Sequence, residues 1–330
     1  MKIFVAANFP EALLNRIKQA AGTHEVVSRV CRTKEDFVLH LDRDADVILA
    51  RYGLPDPELS PQLKWVQTCG AGVDHLRGTP FTRTDILFTT ASGIHAAGIA
   101  ELVFGFILFY QRSLGKMLQY RELRKWPTEA EMFGFFERPG LSEQVLGVIG
   151  FGAIGREIGR LGAAFGMRVL GVKRHPDQKP QLRYSGDGSY PASVYGMDQL
   201  TEVAAQSDFL VISLPLTGAT LRLIDRTVLE AMKRTAVLIN IARGKVVDEP
   251  ALIDCLRDRR IAAAALDVYE QEPLAKDNPF YSMDNVFLSP HVAGAIQGYD
   301  EKVVDVFVAN LKRYLSGQPL LNQVNWALEY

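Results

Sequence analysis

From residue 144 onward, short apolar runs alternate with helical patterns: QVLGVIG (144–150), MRVLGV (167–172), DFLVISL (208–214), TAVLIN (235–240) and AAAALDV (262–268). Runs of this length, rich in Val, Ile and Leu, form parallel sheets when helical stretches separate them, because each parallel pair needs a crossover that returns the chain to the same edge. The first part of the chain repeats the alternation, with KIFVA (2–6), DVILA (46–50) and KWVQT (64–68), and helical patterns near 11–21 and 34–41. Two such sets in 330 residues predict an α/β protein of two domains, each a doubly wound parallel sheet.

The segment 97–126 is apolar on nearly all sides at first and ends in the charged RELRKW. A helix apolar all round must be buried, so this stretch reads as the link between the domains and, over 98–126, as the contact of a homodimer. The last helical pattern, 298–316, sets Val303, Val306, Phe307, Asn310 and Tyr314 along one stripe and is expected to return to the first domain. The polar, turn-rich QLRYSGDGSYPASVYG (181–196) reads as a mobile surface loop, with an active-site lid as the alternative.

Composition narrows the function classes. A net charge of −1 and a pI of 6.6 provide no field to attract nucleic acid or an anionic membrane. The longest uncharged apolar run, LVFGFILFY at 102–110, is too short to span a bilayer. The N-terminal MKIFVAANFPEALLNRI lacks the basic, apolar, small-residue order of a signal peptide. Cys31, Cys69 and Cys255 are too few and too scattered for a disulfide framework or a zinc site. The expectation is a cytoplasmic protein with no metal and a small-molecule substrate.

GFGAIG (150–155) follows an apolar run and opens the helical REIGRLGAAFGM. In that context Gly150, Gly152 and Gly155 let backbone approach a pyrophosphate, while the helix start around Ala153 and Ile154 offers free N–H groups and a positive dipole end. The next strand ends in GVKRHP (171–176), where a dinucleotide site of the ordinary kind carries an acid for the ribose hydroxyls. Lys173 and Arg174 stand there instead, and two cations suit a 2′-phosphate, so NADP(H) is favoured over NAD(H). Solvated surface charge is the plain alternative. Three further stretches, NIARGKVVD (240–248), ALDVYEQEP (265–273) and SPHVAG (289–294), each follow an apolar run and so bring Arg243, Glu272 and His291 to the carboxyl edge of one sheet. Singly, these residues read as a loop brace, a surface acid and a helix cap. Together, beside a dinucleotide site, they suit hydride chemistry. His291 can donate a proton with Glu272 favouring its charged form, and the Arg243 fork can hold a carboxylate and a developing alkoxide.

LGVIGFGAIGREIGR, LPLTGAT, VLINIARGKVVDEPALIDCL, AALDVYEQEPL and NVFLSPHVAG, with LKWVQTCGAGVDHL and SGIHAAGIAE in the first half, resemble the D-isomer-specific 2-hydroxyacid dehydrogenase family, glyoxylate and hydroxypyruvate reductases among them, over essentially the whole chain. The resemblance implies a Rossmann cofactor domain (98–290) inserted in a flavodoxin-like substrate domain (1–97 plus 291–330). It implies Arg243, Glu272 and His291 as the catalytic set and the backbone amides of Ala71, Gly72 and Val73 as the loop for the substrate carboxylate. Arg51 is a further substrate-site candidate against simple packing. Leu214, Pro215, Thr220, Ile241 and Ala242 are implied to line the cofactor cleft, with Asp267 reaching the nicotinamide side. Formate-oxidising members carry Gln beside the histidine, so Glu272 favours a hydroxy or oxo acid. NAD-linked members carry Asp at the position of Lys173. The long regulated phosphoglycerate dehydrogenases, which add a C-terminal regulatory domain, are expected to be a poorer match. The expected activity is NADPH-linked reduction of small 2-oxo acids to D-2-hydroxy acids, glyoxylate and hydroxypyruvate foremost. A dinucleotide-sensing, corepressor-like interaction protein is the alternative.

Overall fold

The computed structural model describes residues 1–54, 56–176 and 192–330. Its elements, in chain order, begin with β1 (Lys2–Ala6), α1 (Glu11–Ala21), β2 (Glu25–Arg29), α2 (Lys34–His40), β3 (Val47–Ala50), β4 (Trp65–Thr68) and β5 (Leu87–Thr89). There follow α3 (Ala96–Gln111), α4 (Leu114–Glu122), α5 (Glu129–Phe136), β6 (Val145–Ile149), α6 (Ala153–Ala164), β7 (Arg168–Val172) and β8 (Ala192–Tyr195). The remainder is α7 (Leu200–Gln206), β9 (Phe209–Ile212), α8 (Arg226–Ala231), β10 (Val237–Asn240), α9 (Glu249–Arg257), β11 (Ala263–Leu266), β12 (Val286–Leu288) and α10 (Tyr299–Leu315). Among the described residues no single helix is long and apolar enough to cross a membrane.

Two compact units result, Met1–Ile94 with Ile296–Tyr330, and His95–Ala295. In the first, five parallel strands run in the order β2-β1-β3-β4-β5. Strands buried on both faces must be apolar throughout, and Val47–Ala50 is wholly buried. One face is covered by α1 and α10, whose Leu13, Ile17, Val303, Val306 and Phe307 share a core with Trp65. The indole lies stacked 5.2 Å from Phe307 and 5.4 Å from Tyr314. The order reverses between β1 and β3, which makes the loops after those strands the ligand edge of this sheet.

In the second unit seven parallel strands run β12-β11-β10-β9-β6-β7-β8, with the reversal between β6 and β9. The glycine turn leaves β6 at that point, and the loops after β9, β10, β11 and β12 continue along the same edge. Two apolar layers close the sheet, one built on α7, α8 and α9 and the other on α3 and α6.

Two sequence expectations change here, on the 181–196 loop and on the domain joints. The apolar start of the 98–126 segment is α3, whose Ile99, Val103, Phe104 and Ile107 pack in the α6 layer of its own unit. The uncovered apolar surface lies further on: α4 and α5 bury no residue, and Leu118, Phe133 and the 86% exposed Trp126 face outward. Within 181–196, residues 192–195 form the edge strand β8, while 181–191 lie outside the described residues. The joints fall at 94/95 and 295/296 rather than 97/98 and 290/291, because the His291 turn is hydrogen-bonded into the second unit.

Candidate active site

The three glycines of the turn after β6 have three different surroundings. Gly150 has φ +98 and lies so close to the Ser213–Leu214 backbone that a Cβ would sit 2.7 Å from Leu214 N. A Cβ on Gly155 would lie 2.1 Å from the Gly150 carbonyl oxygen, so this glycine lets α6 pack against its own strand. A Cβ on Gly152 would meet nothing within 4 Å. Gly152 is also the N-cap of α6 and makes no side-chain cap, so no capping side chain takes up the first N–H groups of the helix. Tight turn, helix packing and an open cradle at a helix start are what a pyrophosphate requires, and the residues present fit a nicotinamide dinucleotide. Lys173 and Arg174 follow β7, the strand beside β6, and are half-buried there; Lys173 N–H donates to the Tyr195 carbonyl at 3.1 Å.

The residues expected to line the rest of the cleft lie on loops at the same edge. Leu214 and Pro215 follow β9, and Ile241 and Ala242 follow β10. Leu214, Ile241 and Ala242 are buried, so what they offer a ligand is mainly backbone. Thr220 is taken up by its own loop: its hydroxyl donates to the Pro215 carbonyl at 2.7 Å and accepts the Thr217 N–H at 2.7 Å. The resemblance assigns Thr220 to the cofactor, but its buried hydroxyl is occupied in shaping the 215–220 turn.

Arg243, Glu272 and His291 come from the loops after β10, β11 and β12, three adjacent strands. Asn240 shapes the first of these, its amide oxygen accepting Ala242 N–H at 3.1 Å and its nitrogen donating to the Arg243 carbonyl at 3.0 Å. Gly244 then passes against the backbone of Tyr269 and Glu270, which joins the Arg243 loop to the Glu272 loop. Glu272 uses both carboxylate oxygens. Oε1 accepts Tyr269 N–H at 3.0 Å, and Oε2 lies 2.6 Å from His291 Nδ1. A carboxylate accepts, so Nδ1 holds a proton and Nε2 of the half-exposed imidazole is turned to other work.

The His291 turn is held from beneath. Asp267 is buried and directs its carboxylate into the turn. Oδ1 accepts Val292 N–H at 2.9 Å and the Ser289 hydroxyl, and Oδ2 accepts Ala293 N–H at 2.9 Å. Tyr269 shares its phenolic proton between the Leu266 and Ser289 carbonyls, each at 2.9 Å. Burial pushes this phenol up to about 12, so it remains a donor at all ordinary pH. Neither Tyr269 nor Ser289 stands out by residue type; only the quoted stretches ALDVYEQEP and SPHVAG contain them.

In the first unit, Ala71, Gly72 and Val73 follow β4. Among the described residues none of their three amides has an intrachain hydrogen-bond partner, the state expected of a nest for an anion. Arg51 follows β3 at the strand-order reversal. Its guanidinium lies 5.4 Å from the Phe9 ring and 5.3 Å from the Tyr299 ring and is ion-paired with Asp300. Tyr299 in turn donates to the Cys69 carbonyl at 2.6 Å. These contacts hold Arg51 in the packing of its own unit, and its buried Nε has no hydrogen-bond partner. Among the described residues no group of His, Cys, Asp and Glu has the arrangement of a metal site.

The pattern of the family described as "D-isomer specific 2-hydroxyacid dehydrogenase, NAD binding domain" matches residues 104–293. A glyoxylate reductase of Thermofilum pendens is 30% identical over 326 residues, covering 96% of this chain and 92% of its own. A D-3-phosphoglycerate dehydrogenase of Methanocaldococcus jannaschii is 30% identical over 314 residues; the match takes in 94% of this chain but spans 57% of that enzyme's length. Among solved structures, a D-isomer specific 2-hydroxyacid dehydrogenase from Xanthobacter autotrophicus, in complex with NADPH and MES, superposes with a TM-score of 0.82 at 28% identity, covering 100% of this chain and 99% of that one.

Proposed function

The chain belongs to the D-isomer-specific 2-hydroxyacid dehydrogenase family, and on that premise we propose that it reduces small 2-oxo acids, glyoxylate and hydroxypyruvate foremost, to D-2-hydroxy acids with NADPH. The observation that carries the reading is the His291–Glu272 pair, on loops adjacent to that of Arg243 and on the edge that holds the glycine turn. The partner-binding alternative gains no support from the relatives above, each of which bears an enzyme's name.

When bound, the dinucleotide supplies the hydride for the carbonyl carbon. His291, with Nδ1–H directed at Glu272, delivers the proton of its outer nitrogen to the carbonyl oxygen as that oxygen gains charge. The positive charge created by protonating His291 has a carboxylate at hydrogen-bond distance, and the same bond fixes which nitrogen faces outward. Arg243 contributes a planar fork that binds carboxylate and carbonyl oxygen together and stabilises developing negative charge, which a lysine would do less well. The unpartnered amides of Ala71, Gly72 and Val73 suit the substrate carboxylate, and Lys173 with Arg174 suit a 2′-phosphate. Arg51 contributes, on this reading, by placing the loop beside it. The exposed apolar surface of α4 and α5 is the contact for a second copy of the chain.

Purified protein with NADPH and with NADH, tested on a panel of 2-oxo acids, decides the matter. Turnover of glyoxylate or hydroxypyruvate is expected, and His291→Ala should remove most of it while dinucleotide affinity stays. No reduction of any oxo acid with either cofactor would overturn the reading, and full activity of His291→Ala would remove that residue from the proton step.

A further inference from the structure

We propose that His95 is a positioning residue for the reduction: through the carbonyl of Gly294 it fixes the turn that presents His291. This rests on His291 as the proton donor. The backbone of His291 has φ +54, in the left-handed region, where a residue with a Cβ costs about 1–2 kcal/mol. Such a conformation persists only when its neighbours over-determine it. On the strand side they do so through Asp267 and Tyr269, which together hold Ser289, Val292 and Ala293.

Beyond Ala293 a different group takes over. His95 Nδ1 lies 2.9 Å from the Gly294 carbonyl oxygen. A carbonyl only accepts, so Nδ1 carries the proton and the tautomer of His95 is set. The ring also lies flush against Gly294, where a Cβ would come within 3.4 Å of Nδ1 and 3.6 Å of Cε1. His95 is itself anchored. It is the N-cap of α3, its carbonyl accepts Ile99 N–H at 2.9 Å, and the helix behind it is buried through Ile99, Val103 and Phe104. The brace therefore runs from a buried helix to the residue three places after His291. Without it, among the described residues, Gly294 and Ala295 lose their tie to α3 and are located only through the bond from Ala295 N–H to the Val292 carbonyl at 2.9 Å and the Asp267 end of the turn. The imidazole of His291 is then free to leave Glu272, and the proton is no longer aimed.

The test replaces the donor and restores it. In His95→Phe the ring volume remains without a donor. In His95→Asn the side-chain nitrogen stands the same number of bonds from Cα as the histidine Nδ1 and can donate to the same carbonyl. For His95→Phe we expect kcat for glyoxylate to fall about tenfold to a hundredfold, the range for residues that orient an active group, with the dissociation constant for NADPH unchanged. His95→Asn should recover most of the loss. A second readout needs no turnover: in nitrogen-detected NMR of the imidazoles, the His291 signals should shift or broaden in His95→Phe and match wild type in His95→Asn. Should His95→Phe fail to fold, His95→Leu takes its place. Wild-type kcat and His291 signals in the donor-free variant overturn the proposal, as does an Asn variant no better than Phe or a loss of NADPH affinity in step with kcat. A wild-type protein that reduces no oxo acid defeats the functional reading instead, and the His291 signals then still report whether the brace holds the turn.

Discussion

Gly244→Ala tests whether the active loops work as one packed piece. A Cβ on Gly244 would lie 1.8 Å from the Tyr269 carbonyl carbon, 2.0 Å from its oxygen and 2.3 Å from Glu270 N. All three are backbone atoms, so no side-chain rotation relieves the overlap. To reach an ordinary contact of about 3.4 Å the two loops must part by about 1.6 Å. Arg243 rides on one loop and Glu272 on the other, the latter tied to the moving Tyr269 through its N–H. A misplacement of about 1 Å costs about a hundredfold in rate. Overpacking of this kind costs about 1–3 kcal/mol, and in a unit of some 200 residues each kcal/mol lowers the melting temperature by about 3 °C. We therefore expect kcat to drop by about two orders of magnitude, with a melting point several degrees lower and dinucleotide affinity largely kept. Steady-state NADPH oxidation with glyoxylate, run beside a thermal melt, measures both. Wild-type kcat together with an unchanged melt would refute the reasoning, since the loops would then tolerate separation.

Gly152→Ala is the converse: its methyl meets open space, so the melt should stay at the wild-type value while dinucleotide affinity weakens, and a titration showing unchanged affinity would mean that no ligand approaches the cradle. Lys173→Asp with Arg174→Ala should move the ratio of specificity constants from NADPH toward NADH, each lost phosphate contact counting for on the order of 1 kcal/mol; a ratio that does not move makes these residues surface charge. Asp267→Asn turns an amide nitrogen toward a buried donor and should cost about 1–3 kcal/mol of stability along with a loss of kcat, read by denaturant melt and kinetics, and wild-type behaviour would show that the carboxylate does not hold the turn. Leu118→Glu with Phe133→Glu should convert a dimer to a monomer in sedimentation; an unaltered mass would show that α4 and α5 are not the contact.

Strands buried on both faces were legible because burial demands continuous apolar runs. The reading overshot at their ends, as at DFLVISL, where the ladder stops and Ser213 turns its hydroxyl to the Gly150 carbonyl at 2.7 Å. The edge strands β2 and β8 were not legible: both are half-exposed and mix polar with apolar residues, so no run announces them. The pairing of Glu272 with His291 has a signal in residue type and position. The occupations of Thr220 and Asp267 have none, since a threonine or aspartate at a sheet edge looks the same whether it meets a ligand or the amides of a neighbouring turn. The all-round apolar character of α3 signals burial, but a one-dimensional pattern does not say that α6 supplies cover for it.

The hydrogen bond between His95 and Gly294 joins the first residue of the second unit to nearly its last. A segment whose entry and exit lie that close has the form of a cassette, and by chain continuity Ile94 and Ile296 are near neighbours too. Adjacent ends of this kind are what grafting and circular permutation require. Residues 95–295 are accordingly the piece to excise as a unit, with a short linker from 94 to 296 in its place.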